Sequence, residues 1–445
     1  MRAFFRHLLM AIAIAALAAQ LSWAVDRIEE FGKARRSLQQ QLRSKQASHR
    51  LEALKKLKEF PIADGARLIY NSLADPAEEV REAAYRTLLG LNDNQEVCDT
   101  LMLMAKKAVH QKDDGLTAAP LLAILLSSNV APVERDTKAF LEKTAEAKNG
   151  LPIVLNLADV LGEHHDVIDV PPLAKLAKTK VFANQFAVRR AVVYALTKIP
   201  NKDAVEALIE MLDQLHGEVL ADAVEYLTQV TEQIFGMEST VWQQWWKDAK
   251  DTFEYPAHFV RKPYRTAITS DTGYYYGLPM FAERLVFVLD TSGSMTGLRI
   301  AAAKRELTKA INSLPEHVSF GVVVFNGTVD VWHRQLVPAT AQSKKAAVLY
   351  VNSQATRSNT ASYDALEAAF GFDTEAIYFL SDGEPHGGKI SAPSDIVVAI
   401  TAANKARRIS LYTIGIGAGF PGSQLDVFLK NLAEQNLGLY RRVDE

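Results

Sequence analysis

Three oxygen-bearing side chains lie two residues apart at the end of one apolar segment. The run from Leu285 to Asp290 ends on a carboxylate, and the hydroxyl groups of Ser292 and Ser294 follow it directly. A second carboxylate, Asp382, ends another apolar run. Carboxylates gathered at one sheet edge repel one another unless a cation lies between them, and Mg²⁺ prefers oxygen ligands. The spacing therefore predicts a site for a hard divalent cation, Mg²⁺ first, with Mn²⁺ and Ca²⁺ as alternatives.

The elements that would position these side chains alternate between strands and helices after Glu283. Four runs, LVFVLD, FGVVVF, AIYFLSD and ISLYTIGIG, are almost continuously apolar, as expected of strands that are covered on both faces. Amphipathic helices separate them, which predicts an α/β fold with a doubly wound, mostly parallel sheet. Ligands of such a sheet bind outside the carboxyl ends of its strands. After the Asn326-Gly327 turn, the run from Thr328 to Leu336 is predicted to be an antiparallel edge strand.

The chain from about Arg284 to Val443 resembles a von Willebrand factor type A domain. Asp290, Ser292 and Ser294 are similar to the start of that family's metal-ion-dependent adhesion motif, and Asp382 is similar to its last residue. Thr360, in the run SNTASYDAL, is similar to the family's threonine on a later loop. The resemblance implies that the three hydroxyl groups bind the metal directly and that the two carboxylates often act through water. It also implies that a carboxylate of an acidic protein partner completes the shell.

One departure from the family concerns the residues just before Thr360. Many members have two glycines there, whereas this chain has Ser358 and Asn359. Side chains at these positions restrict the conformations of the loop. We expect Asn359, together with His386 on the glycine-rich loop after Asp382, to lie on the rim that contacts the partner.

Two enzyme-like interpretations of the same residues stay open from the sequence. The run GEPHGGKI from Gly383 to Ile390 is close to a phosphate-binding loop, but Ile390 stands where a serine or threonine would hold Mg²⁺. A metal-dependent hydrolase would use Ser292 or Ser294 as nucleophile with His386 and Asp382. No Gly-x-Ser-x-Gly elbow accompanies these residues. We therefore expect a protein that is not an enzyme.

The first half of the chain has apolar residues every three or four positions, which is typical of helices. Four nine-residue runs share their apolar positions, and an arginine is the second residue of three of them; the runs are HRLEALKKL, VREAAYRTL, VRRAVVYAL and VLADAVEYL. The runs recur at an interval of thirty-odd residues or at a multiple of that interval, which indicates a helical solenoid. The runs resemble HEAT-type repeats. Residues 25–250 are therefore predicted to form an all-α repeat domain, residues 251–283 an ordered linker, and residues 284–445 the α/β domain.

The arginines of these runs, Arg81 and Arg189, are expected to have a structural role, bonding neighbouring repeats or loop carboxylates. Trp242, Trp245 and Trp246 share one helical face at the end of the repeats. We interpret them as a clamp that closes the last repeat against the segment that follows.

The amino-terminal residues are typical of a secretory signal peptide. Arg2 and Arg6 precede a short apolar run, and Ser22-Trp23-Ala24 is a small-x-small ending. We expect residues 1–24 to be removed and the mature protein to lie in the periplasm or outside the cell, with no membrane span. An uncleaved membrane anchor facing outward is the alternative. The net charge of −2 gives no electrostatic reason to expect nucleic acid binding.

Together these patterns predict an exported, non-enzymatic binding protein of a bacterial envelope. Its α/β domain would hold the divalent cation and bind an acidic protein partner through it. The alternative is a helical-repeat scaffold whose metal site is merely structural.

Overall fold

The structure, a computed structural model, describes residues 26–110, 117–147, 150–262, 273–417 and 419–444. The predicted signal segment, residues 1–24, lies outside them. The chain divides into two compact units, which we describe separately. The first contains the described residues up to His164 and Pro171–Val181, and the second contains His165–Val170 and the described residues from Phe182 onward. Within the described part of the chain, no helix is long and apolar enough to cross a membrane.

Helices alone make up the amino-terminal part of the chain. They are α1 (26–42), α2 (Ala47–Leu57), α3 (Ala63–Tyr70), α4 (Glu78–Leu89), α5 (Gln95–His110), α6 (Ala118–Ser127), α7 (Ala131–Glu146), α8 (Leu151–Glu163), α9 (Val170–Ala177) and α10 (Lys180–Asn184). Each helix from α2 to α6 packs against the second helix after it, as α2 does on α4 and α3 on α5. This alternation is the packing of stacked helix pairs, so the first unit fits a helical repeat.

The arginines of the repeated runs make the same contact in each copy. Arg50 donates to the carbonyl of Ser44, and Arg81 donates to that of Asp75, six residues before it. In the second unit, Arg189 donates to the carbonyl of Ala183, also six residues before it. The side chain thus binds the carbonyls that precede its own helix. Arg50, which was not part of that expectation, also bonds a loop carboxylate, since its guanidinium lies 2.8 Å from each oxygen of Asp75.

The second unit begins with further helices. These are α11 (Phe186–Lys198), α12 (Lys202–Met211), α13 (Gly217–Thr231) and α14 (Ser239–Ala249). Helix α11 packs on α13, and α12 packs on α14. On α14, Trp242 is fully buried and lies edge-on to Phe235, while Trp246 lies 5.2 Å from Phe253 in the following segment. The tryptophans thus pack against residues on both sides of α14, which fits the predicted clamp.

A mixed sheet of seven strands forms the rest of the second unit. In chain order the elements are β1 (Tyr274–Tyr275), β2 (Leu278–Pro279), β3 (Arg284–Asp290), α15 (Leu298–Ser313), β4 (Ser319–Phe325), β5 (Val329–Val331), β6 (Val337–Pro338), α16 (Ala341–Ser353), α17 (Ser362–Phe370), β7 (Ala376–Ser381), α18 (Pro393–Asn404), β8 (Ser410–Ile416), α19 (Gln424–Glu434) and β9 (Tyr440–Val443). The strand order is β5-β4-β3-β7-β8-β9, and β6 also pairs with β4. Strands β3, β4, β7, β8 and β9 are parallel, whereas β5 and β6 run antiparallel to β4.

The prediction of a helical region followed by a doubly wound sheet is confirmed. Strand β3 is apolar throughout because both its faces are covered. Leu285, Phe287 and Leu289 pack on the side of α15 and α16, whereas Val286 and Val288 pack on the side of α17, α18 and α19. The predicted edge strand is shorter than expected, since only Val329–Val331 of that run pairs with β4. Strand β3 lies where the strand order reverses, which is the place where open α/β sheets bind ligands.

The segment between the helices and the sheet is ordered where it is described. Strands β1 and β2 form an antiparallel hairpin, and Tyr275 is buried against Phe287 with the ring centroids 5.4 Å apart. The hydroxyl of Tyr378 on β7 donates to the carbonyl of Pro279. This part of the predicted linker therefore belongs to the core of the sheet.

A buried polar network joins α11 and α13 to β8 inside the second unit. Arg190 of α11, fully buried, donates to Asp222 of α13 at 2.8 Å and to the hydroxyl of Ser410 at 2.8 Å. Glu218 of α13, also fully buried, accepts hydrogen bonds from Ser410 and from Tyr412, each 3.0 Å long. Charged groups that are buried need such partners, so these helices and the sheet depend on one another.

Candidate metal centre

Asp290 lies at the carboxyl end of β3 and is fully buried. Its Oδ1 accepts the backbone N–H of Ser292 at 2.7 Å, and its Oδ2 lies 2.5 Å from the hydroxyl of Ser381 at the end of β7. Burial raises the pKa of Asp290 to about 6, because desolvation outweighs these hydrogen bonds, and the nearby Asp382 raises it further. The carboxylate is thus costly to keep charged unless a cation lies close to it.

A chain of hydrogen bonds joins the next three predicted ligands. The hydroxyls of Ser292 and Ser294 lie 3.0 Å apart, and the hydroxyl of Ser294 donates to Oδ1 of Asp382 at 2.7 Å. Asp382 directly follows β7, the neighbour of β3 in the sheet. Adjacent strands therefore deliver the two carboxylates to one edge, and the loop after β3 delivers the two serines.

Thr360 comes from the loop that precedes α17 and is almost fully buried. Its backbone pairs with that of His386 through two hydrogen bonds, of 3.0 and 2.9 Å, which join its loop to the loop after β7. A Cβ atom placed on Gly383 would lie 3.4 Å from the hydroxyl oxygen of Ser294 and 3.6 Å from that of Thr360. These two oxygens therefore face the same small region above Gly383.

Backbone hydrogen bonds fix the loops of the site to one another. Thr291 donates its N–H to the carbonyl of Phe325 at the end of β4, and its own carbonyl accepts from Arg357. The carbonyl of Asn326 accepts from the N–H of Ala361, next to Thr360. The loops after β3 and β4 and the loop that carries Thr360 are thus held as one surface.

The two predicted rim residues are both exposed beside Thr360. Asn359 has a backbone φ of +71°, in the left-handed region where glycine is favoured and asparagine is tolerated. This conformation explains how the chain forms the loop without the family's two glycines. His386 contacts the site through its backbone pairing with Thr360, and its side chain is exposed.

The set of oxygen atoms suits a small hard cation. Octahedral Mg²⁺ holds its ligands at about 2.0–2.1 Å, so neighbouring ligand oxygens lie about 2.9 Å apart. The oxygens of Ser292 and Ser294 are at this separation, and Ser294 is exposed to solvent. Among the described residues there is no group of three or more His, Cys, Asp or Glu side chains that could hold a metal ion. Hydroxyl groups would therefore have to supply part of any metal shell here.

Two residues that the sequence interpretation left out contact the carboxylates. Ser381 bonds Asp290, and Arg299, in the first turn of α15, donates from Nη1 to Oδ2 of Asp382 at 2.9 Å. A signal for Arg299 was present in the sequence. A cation in the first turn of a helix runs against the helix dipole, so its presence there indicates a nearby anion.

The glycine-rich run after Asp382 does not have the geometry of a phosphate-binding loop. The backbone N–H of Lys389 donates to the carboxylate of Asp364 at 3.1 Å, and its ammonium group pairs with Glu367. Helix α18 begins only at Pro393, so the run does not lead directly into a helix amino terminus. The N–H and the ammonium group of Lys389, which would contact a phosphate in such a loop, are thus occupied by carboxylates.

The hydroxyl of Ser294 is not arranged as a hydrolytic nucleophile. It donates to the carboxylate of Asp382, which itself accepts a hydrogen bond from a guanidinium. A nucleophilic serine needs a general base such as an imidazole in hydrogen-bond reach. The side chain of His386 is exposed, and its described hydrogen bonds are those of its backbone to Thr360.

Comparisons with known proteins match part of the chain. Residues 283–442 match the family model described as von Willebrand factor type A domain. Inter-alpha-trypsin inhibitor heavy chain H3 of Bos taurus is 30% identical over 182 residues, which cover 38% of this chain and 20% of that protein. Heavy chain H4 of Homo sapiens is 32% identical over 182 residues, which cover 38% and 19%. The matched region spans about a fifth of the length of these relatives.

Solved structures match a similar share of the chain. A von Willebrand factor type A protein from Catenulispora acidiphila is 24% identical, with a TM-score of 0.32 and coverage of 36% of this chain and 38% of that one. The PilB minor pilin from Streptococcus sanguinis is 12% identical, with a TM-score of 0.29 and coverage of 36% and 56%.

Proposed function

Because residues 283–442 form a von Willebrand factor type A domain, we propose that this protein is a non-enzymatic binding protein that uses a divalent cation. The cation, Mg²⁺ in the first place, would be held by the side chains of Asp290, Ser292, Ser294, Thr360 and Asp382. When bound, it supplies a positive centre that accepts an acidic side chain from a protein partner. We further propose that the protein acts outside the cytoplasm.

The observation that carries this proposal is the hydrogen-bonded chain of Ser292, Ser294 and Asp382. The hydroxyl oxygens of Ser292 and Ser294 lie 3.0 Å apart, and that of Ser294 lies 2.7 Å from Oδ1 of Asp382. These groups follow the carboxyl ends of the strands, where ligands of such a sheet bind. The buried Asp290 lies behind them, and the exposed Ser294 opens the site to solvent. The two carboxylates attract a divalent cation, and the exposure of Ser294 leaves room for water or for a partner's carboxylate.

Calorimetric titration with Mg²⁺ tests the metal, with Asp290→Ala and Ser294→Ala compared with the wild type. Asp290→Ala removes one of two negative charges, so we expect the affinity to fall by at least about 100-fold, and Ser294→Ala should weaken it by about 10-fold. Asp373→Ala is the matched control. Asp373 lies before the amino-terminal end of β7, whereas the site lies after its carboxyl end, and the side chain of Asp373 is 89% exposed. Equal affinities for the wild type and Asp290→Ala would remove this site as the metal site.

The partner is tested by capture from a cell-envelope fraction with Mg²⁺ or with a chelator. We expect the captured protein to be lost with the chelator and with Asp290→Ala, and to be kept with Asp373→Ala. Capture that survives both the chelator and Asp290→Ala would show that the metal site does not bind the partner.

The second candidate function is a scaffold that binds through the helical repeats. A groove of about 990 Å³ in the first unit favours it, because six carboxylates line the groove beside Arg81 and His164. The acidic residues are Asp75, Glu78, Glu79, Glu82, Asp159 and Glu163. A basic segment of a partner would complement this charge. Loss of capture with Glu78→Lys and Glu79→Lys combined, but not with the chelator, would favour the scaffold.

A further inference from the structure

An ion pair lies at the inner side of the candidate metal centre. Nη1 of Arg299 donates to Oδ2 of Asp382 at 2.9 Å, while Oδ1 of the same carboxylate accepts from Ser294. The side chain of Asp382 is fully buried, and that of Arg299 is 31% exposed. Both oxygens of Asp382 therefore have a partner, one on the side of the hydroxyl groups and one on the side of α15.

The position of Arg299 has no advantage for its own helix. It lies in the first turn of α15, where the helix dipole repels a cation, and this turn contains no acidic residue. One favourable interaction of the guanidinium is its hydrogen-bonded ion pair with Asp382. Its role is therefore connected with the charge of that carboxylate.

We propose that Arg299 is a built-in cation that competes with the divalent cation for the charge of Asp382 and keeps the metal affinity of the site low. This inference rests on the proposed function. Asp382 has one negative charge, and the guanidinium already neutralises it from one side. A divalent cation that binds beside Ser294 shares the same carboxylate and is repelled by Arg299.

The competition also affects how the partner binds. With the metal in place, two cationic groups lie on opposite sides of one carboxylate, so the site carries excess positive charge. The carboxylate of a partner reduces that excess. Arg299 therefore opposes the metal but attracts the carboxylate of the partner, so it lowers the affinity for the cation without lowering that for the acidic partner.

The test is a titration of the full chain with Mn²⁺ alone, in which electron paramagnetic resonance measures the concentration of the free ion. At a separation of about 5–6 Å in a solvent-like dielectric, removing the charge strengthens binding of a divalent cation by about tenfold. We expect Arg299→Gln to bind Mn²⁺ about tenfold more tightly than the wild type. Arg299→Lys keeps the charge and should stay within about threefold of the wild type.

Arg305→Gln is the matched control, since Arg305 is an exposed arginine on the same helix, about two turns further on. It removes the same charge, and its Mn²⁺ affinity should stay close to that of the wild type. Thermal melting gives a second readout. Without metal, Arg299→Gln should melt below the wild type because Asp382 loses its cation, and Mn²⁺ should raise its melting temperature by more than it raises that of the wild type.

The outcomes separate this inference from the proposed function. If the wild type binds Mn²⁺ and Arg299→Gln binds it equally or more weakly, the competition is overturned and the proposed metal site stands. If Arg305→Gln tightens binding as much as Arg299→Gln, the effect is one of net charge and the competition is again overturned. If neither the wild type nor Arg299→Gln binds Mn²⁺, both proposals fail. If Arg299→Gln binds Mn²⁺ and the wild type does not, the competition is supported, because Arg299 then prevents binding in the wild type.

Discussion

Arg190 allows a quantitative test of how the helices support the sheet. Its guanidinium is fully buried and donates to Asp222, to Ser410 and to the carbonyl of Arg408. Arg190→Met keeps a long apolar side chain at this position but removes the charge, and with it the cation–π contacts with the rings of Phe186 and Tyr194. Breaking a buried ion pair costs about 3–5 kcal/mol because a charge stays behind in the interior. Since domains are stable by only about 5–15 kcal/mol, we expect a loss of about 3 kcal/mol to be readily measured.

Urea unfolding followed by tryptophan fluorescence is the assay. The described tryptophans, at positions 242, 245, 246 and 332, all belong to the second unit, so the signal reports mainly on that unit. Arg189→Met is the matched control. It removes the neighbouring arginine, whose acceptors are the carbonyls of Phe182 and Ala183 and which is not fully buried, and it should cost about 1–2 kcal/mol.

A partial rescue distinguishes the charge from the packing. Asp222→Asn added to Arg190→Met removes a carboxylate that has lost its cation, so the double variant should regain about 1 kcal/mol relative to Arg190→Met. A loss below about 1 kcal/mol for Arg190→Met would refute this reasoning, and so would a loss no larger than that of Arg189→Met. The helices and the sheet would then fold independently of this network.

Four further predictions follow from other groups. Burial raises the pKa of Glu375 from 4.5 to about 7, so between these two pH values the folded protein keeps a proton that the unfolded chain has lost. The contribution of this group to stability therefore falls by about 3 kcal/mol as the pH rises from 4.5 to about 7. The melting temperature of Glu375→Gln should therefore rise relative to that of the wild type between pH 5 and pH 8; a constant difference would contradict this. A fragment from Phe182 to the carboxyl terminus should give a cooperative melt by circular dichroism, whereas one from Pro256 should melt lower or not fold, because it lacks Arg190 and Glu218. Burial also raises the pKa of the Cys98 thiol to about 11, so iodoacetamide should label it much more slowly in the native chain than in urea. If residues 1–24 are a cleaved signal, mass spectrometry of the native protein should find Val25 at its amino terminus, and an intact Met1 would indicate the anchor.

The apolar strands were predictable because each is covered on both faces. The runs that predicted β3, β4, β7 and β8 differ from the observed strands by one residue or two at their ends. Strand β9 was missed because it is short and has Arg441 and Arg442 at its centre, as an edge strand can. The pair β1 and β2 was missed because two-residue strands have no periodicity to detect. In both cases the pairing partner, and not the local sequence, determines the strand.

For the site, the sequence predicted the residue types but not how they are joined. Asp290, Ser292 and Ser294 were identifiable because they are neighbours in the chain. Their links to Asp382 and Ser381 exist only because β3 and β7 are neighbours in the sheet. A long stretch of chain separates these two strands, so the local sequence does not indicate the pairing. The network of Arg190 and Glu218 with β8 was not predicted for the same reason, since more than 190 residues separate Glu218 from Ser410.

The placement of β3 at the centre of the sheet also determines when the sheet can form during synthesis. Strand β3 pairs with β4, whose residues follow 35 positions later, and with β7, in which Ala376 follows its partner Leu285 by 91 positions. The helices of the first unit instead contact close neighbours in the chain, so their folding does not depend on the strands of the second unit. The nascent chain therefore passes through a stage in which the apolar strand β3 has been made but its second neighbour has not. During that stage the strand is an exposed, aggregation-prone edge, and a chaperone that holds the chain between β3 and β7 would act at the step of greatest risk.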